Sequence, residues 1–113
     1  NCSVGSIHAQ KGGYPLEIHF DAYGKYGFGS GLIPAISTKL NTVDESLARR
    51  FGRYPINFRD GLGAPRRNIR ILEIGKLEGE LENKLRNPES REQTINQIAW
   101  RVTKALIDGI ETN

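Results

Sequence analysis

Between Tyr14 and Asp21 the chain alternates without a break: Leu16, Ile18 and Phe20 are apolar, while Glu17, His19 and Asp21 are polar. A period of two is the mark of a strand with one face turned to a core. A second strand is predicted over Ile69–Ile74 and stopped by Gly75. It is nearly continuously apolar, as a strand covered on both faces would be. Between the two the spacing predicts a helix over about 43–53, with Val43, Leu47 and Phe51 on one face and Thr42 and Glu45 as a capping box. A loop then runs from Tyr54 to Asn68, marked by Pro55, Gly61, Gly63 and Pro65. The last helix is predicted over about 88–110, entered through Asn87-Pro88, with Ser90 and Gln93 as an alternative cap one turn later. Its stripe is Ile95, Ile98, Ala99, Val102, Leu106 and Ile110, and Trp100 beside it is expected to pack.

Strands separated by helices predict an α/β domain with a mostly parallel sheet flanked by helices. Two strands are too few to fill such a sheet, so the chain reads as the C-terminal part of a larger domain. A sheet shortened in this way leaves apolar surface and unpaired edges. Self-association or docking on a larger protein partner is therefore expected.

Length and composition narrow the classes. The chain has 113 residues, 37% apolar and 26% charged, which suits one globular domain. It begins with Asn1 rather than Met, as a trimmed or excised chain does. No apolar run reaches the roughly 18 residues of a membrane span, and the first residues lack the basic start and apolar middle of a secretory signal. Cys2 is the sole cysteine, which excludes an internal disulfide framework and a cysteine-based zinc knuckle. The net charge of +3 is too mild to demand nucleic acid. Seven arginines between Arg49 and Arg70 against the single acid Asp60 read either as a hold on an anionic polymer or as a solvated basic face. Aromatic interleaving is thin there, and a nucleic-acid partner is the weakest reading.

Two side chains stand out as carriers of chemistry. His19 lies on the polar side of its strand, near the strand's C-terminal end, where open α/β sheets bind ligands. It is placed for a metal or a substrate, or for a structural hydrogen bond to a neighbouring carboxylate. Glu73 is the one charged residue between Ile71 and Gly75. A carboxylate in an apolar strand is costly unless paired, so it reads either as a general acid or base or as the partner of Arg70 or Arg59.

The segments Leu16-Glu17-Ile18-His19-Phe20-Asp21-Ala22 and Ile71-Leu72-Glu73-Ile74-Gly75 resemble the zinc-dependent N-acetylmuramoyl-L-alanine amidases of the type 3 class. In that family a strand ends in a zinc-binding His, and a later strand carries a Glu-x-Gly motif with the catalytic Glu. The resemblance implies His19 as a metal ligand and Glu73 as the catalytic acid/base, with Asp21 supporting His19. The tail follows the family's order too: Leu77, Glu78-Gly79-Glu80, Leu85, Arg91 and a final helix ending in Gly109-Ile110, with Phe58-Arg59-Asp60 where relatives carry an Arg-Gly step. The similarity spans about 14–112.

The chain departs from the pattern in two places. Lys76 stands where the family has Phe, and the family's upstream zinc ligands, a His on the first strand and a Glu on the first helix, have no counterpart. Ser6-Ile7-His8-Ala9-Gln10 is superficially similar to the family's Ser-Ile-His-Ala-Asn signature, but spacing favours the segment with His19. What the resemblance implies is a zinc-assisted cell-wall hydrolase acting on peptidoglycan, in the cell envelope or periplasm or associated with a phage. The other expectation is a non-catalytic amidase remnant, kept as a structural or wall-binding component.

Overall fold

The computed structural model describes residues 13–21, 28–36, 38–55 and 63–112. The elements in order are β1 (Leu16–Asp21), β2 (Gly31–Ile33), α1 (Thr42–Phe51), α2 (Gly63–Arg66), β3 (Arg70–Lys76), α3 (Gly79–Arg86) and α4 (Pro88–Glu111). The three strands form one sheet in the order β1-β3-β2.

The α/β class holds, but the sheet is mixed rather than mostly parallel. β1 runs parallel to β3, and β2 runs antiparallel to it. The reason is Gly31–Ile33, a strand of three residues too short to show a period. Its Gly31 has φ +151°, and a Cβ there would lie 2.7 Å from the Tyr54 backbone nitrogen. Leu32 exchanges backbone hydrogen bonds with Gly52 and Tyr54 on its outer side (2.9 and 3.2 Å), so this edge is held by the segment leaving α1.

β3 is the centre of the sheet and is buried on both faces, as its apolar run requires. Leu72 and Ile74 meet Leu32, Leu47, Phe51, Val102 and Ala105 under α1 and α4. On the opposite face Ile71 packs with Ile33, Tyr54, Ala64 and Ile69. α2 belongs to this second cluster and interrupts the loop expected over 54–68. β1 is an outer strand, so only Leu16 of its apolar face packs on the main core, while Ile18 and Phe20 are 52% and 42% exposed.

α1 begins with a capping box, though one residue earlier than the pattern indicated. Asn41 Oδ1 accepts from the Asp44 amide and the Asp44 carboxylate accepts from the Asn41 amide, both at 2.9 Å. The same carboxylate is fully buried, where it also accepts from the Tyr14 hydroxyl at 2.6 Å and from Arg70 Nε at 3.2 Å. Burial raises the Tyr14 pKa and the hydrogen bond to Asp44 adds to it.

α4 starts as its sequence indicates, with Pro88 in its first turn and the Asn87 side chain accepting from the Glu89 amide at 2.9 Å. Its buried line is Thr94, Val102, Ala105 and Gly109, flanked by Ile98 and Leu106. Ile95, Ile110 and Trp100, all expected to pack, are exposed. What turned the helix is contact with α1: Ser46 Oγ donates to the Ala105 carbonyl at 2.7 Å, and Gly109 passes so near Val43 that a Cβ would come within 2.6 Å of the Val43 Cα.

Candidate active site

The face of the sheet that carries Ile71 also carries the polar side of β1. Side chains directly opposite on paired strands share a face, and the register sets His19 opposite Glu73. On the other flank the residue opposite Glu73 is Gly31, which adds no side chain. Of the two residues directly opposite Glu73, His19 is therefore the one that carries a side chain.

The imidazole is held between two carboxyl groups. His19 Nε2 lies 2.9 Å from Glu17 Oε1, and Nδ1 lies 3.8 Å from Glu73 Oε2. The ring is 42% exposed, whereas the Glu73 side chain is about nine-tenths buried. Glu73 Oε1 is fully buried and has no hydrogen-bond partner among the described residues. Burial raises the Glu73 pKa, the nearby Asp21 carboxylate raises it further, and His19 pulls the other way. A carboxyl group whose pKa is raised by its surroundings is a candidate for giving and taking protons.

Asp21 completes the group. Beyond His19 the β1–β3 register shifts, and Asp21 pairs with Lys76. Its Oδ2 accepts from the Tyr54 hydroxyl at 2.7 Å and from the Gly29 amide at 2.8 Å. The Tyr54 oxygen in turn accepts from the Phe28 amide at 2.9 Å, and the two rings meet edge to face at 5.3 Å. Burial, with added push from Asp21 and Glu73, moves the Tyr54 pKa up to about 12, against the pull of the Phe28 amide. Asp21 thus braces the chain around the site and supplies negative charge near Glu73. Glu17 is the carboxylate bonded to the His19 ring.

The two residues singled out from sequence are therefore brought together, and Glu17 and Tyr54 are added to them. Glu17 was legible only as a polar position on the strand. Tyr54 carried a fainter signal, an aromatic ring with a polar tip after the first helix, of the kind that finds a partner when buried. Arg70 is not the partner of Glu73: it lies on the other face, pairs with Asp44 and stacks over the Tyr14 ring at 4.5 Å. Arg59 and His8 lie outside the described residues. Three members of the arginine run are engaged within the fold: Arg50 pairs with Asp108 and Arg53 with Glu45, each at 2.6 Å, while Arg70 is buried.

An imidazole backed by a carboxylate is suited to a metal, but a catalytic zinc takes three protein ligands. Among the described residues no group of three or more His, Cys, Asp or Glu side chains is placed to hold one. His19 fits one position of such a site, and the described residues do not complete it. No helix among them is long and apolar enough to cross a membrane. No protein-family model, curated protein or solved structure matches the chain.

Proposed function

We propose that the chain is a cell-wall hydrolase domain that cleaves the amide joining N-acetylmuramic acid to the L-alanine of peptidoglycan, as its two strand motifs imply. The observation that carries this reading is the cross-strand pairing of His19 with a buried Glu73 whose Oε1 is free of protein partners among the described residues. Glu73 takes the proton from the attacking water and delivers it to the leaving nitrogen. Its raised pKa suits both halves of that task, because the carboxylate becomes a stronger base toward water and the carboxyl group then holds the proton until the leaving nitrogen takes it. His19 orders the approach to Glu73 from the solvent side. Zinc is the cofactor of this reading, with His19 as one ligand, and the cell envelope, periplasm or a phage particle is its setting. Release of L-alanine-linked peptide from intact cell wall tests it: the native chain turns over, and Glu73→Gln does not.

A second reading, a non-catalytic remnant that binds wall or docks on itself or a larger assembly, draws on a different observation. Trp100, Ile107 and Ile110 stand exposed on the side of α4 turned away from the core. In that case the native chain co-sediments with cell wall, or forms a larger species in solution, without releasing peptide.

A further inference from the structure

We infer that Glu17 is a positioning residue that fixes the His19 ring with its proton on Nε2, so that Nδ1, carrying the free lone pair, is the nitrogen presented to Glu73 and to whatever enters the site. The inference rests on the hydrolase reading for its purpose, but not for its evidence. A carboxylate offers only acceptor lone pairs, so the 2.9 Å contact between Glu17 Oε1 and His19 Nε2 makes Nε2 the donor. In a neutral imidazole one nitrogen carries the hydrogen and the other accepts. Nδ1 is then the acceptor, and it is the nitrogen nearer Glu73, at 3.8 Å.

Strand geometry explains why Glu17 can do this. Residues two apart on a strand point to the same side, so Glu17 and His19 stand side by side on the polar face of β1. Glu73 lies directly across from His19, and the residue across from Glu17 is Ile71. The line Glu17–His19–Glu73 is thus built from one strand and its neighbour. The amidase resemblance rests on the His and the Glu-x-Gly; Glu17 is a feature of this chain's own strand. A metal ion or a polarised proton meeting His19 is met by Nδ1.

The test reads the ring itself. The chain has two histidines, His8 and His19, so His8→Gln leaves a single imidazole whose two nitrogens are resolved by nitrogen-15 NMR after histidine labelling. For the neutral ring at alkaline pH, the expected spectrum has a protonated Nε2 and an unprotonated Nδ1. Glu17→Ala, shown to be folded by an otherwise unchanged amide spectrum, is expected to shift both nitrogens toward the averaged values of a mixed tautomer population. A protonated Nδ1 in the unmodified ring, or ring signals that Glu17→Ala leaves in place, overturns the inference. A chain with the Nε2 proton and no peptide release retains the positioning role of Glu17 and loses the hydrolase reading, so the two failures are distinguishable.

Discussion

Asp44 and Arg70 form an ion pair at 3.2 Å in which both side chains are more than nine-tenths buried, and it joins the cap of α1 to the first residue of the central strand. The pair decides which face of the sheet the charges take. With Arg70 committed to Asp44 and roofed by Tyr14, Glu73 three residues on is left without a cation from its own strand's start. The basic side chain set beside it is His19, at 3.8 Å.

Removing one half of that pair leaves the other buried and alone. Asp44→Ala is expected to cost about 3–5 kcal/mol of unfolding free energy, with the loss of the α1 cap included in the outcome. Denaturant unfolding of the variant against the native chain measures it. A loss below 1 kcal/mol, roughly the value of an exposed pair, contradicts the buried assignment.

Glu73→Gln is expected to lower turnover on cell wall by a factor of at least about 10² while the melting temperature stays level or rises. Its effect on pH dependence has a definite sign. The Glu73 pKa is raised in the fold above the ordinary value of 4.5. The unfolded chain then ionises first as the pH rises, so this residue's contribution is fully present below the unfolded value and is lost as pH climbs through the folded one. Melts recorded from acid to neutral pH check this: the native chain falls off more steeply than Glu73→Gln over that window.

Metal content tests the other half of the motif. If His19 is a zinc ligand, the purified chain carries one equivalent of zinc, and His19→Ala loses it together with peptide release while the fold persists. Elemental analysis of both proteins decides the matter, and equal zinc in the two removes His19 from the ligand set.

Gly109 is needed for packing rather than for helix formation. Alanine in its place would raise intrinsic helix propensity by about 1 kcal/mol. The added Cβ, however, meets the Val43 Cα at 2.6 Å and the Thr42 carbonyl oxygen at 3.0 Å, both backbone. Backbone cannot rotate out of the way, so Gly109→Ala is expected to destabilise by about 1–3 kcal/mol. Thermal melts of the variant provide the check.

Much of this was legible in the sequence, and what was not has physical causes. The alternation from Leu16 to Asp21 placed β1 and put His19 on its polar side, and the apolar run around Leu72 placed β3. Their register, which brings His19 to Glu73, was not legible, because neither strand's pattern states which residue of the other it faces. β2 was not visible because three residues carry no period, and with it went the direction of the sheet. α4 was found, but the line it buries was displaced because Ser46 and Gly109 set its rotation, and neither is apolar enough to mark a face. The cap at Asn41 was read one residue late because Thr42 and Glu45 satisfy the same spacing rule. Asp44 offered no sign of burial: two of its three partners, Tyr14 and Arg70, are 30 and 26 residues away in the chain.

The site is divided between strands of unequal permanence. Glu73 belongs to β3, the strand with another strand on each side, whereas His19 belongs to β1, whose outer edge has no strand against it among the described residues. Amide protons of a doubly bonded central strand exchange only through wide opening, while those of an outer strand exchange through local fraying. The two halves of the pair accordingly live on different clocks. The expected consequence is that the amides around His19 and Glu17 exchange faster than those around Glu73, which lies in the middle of the sheet.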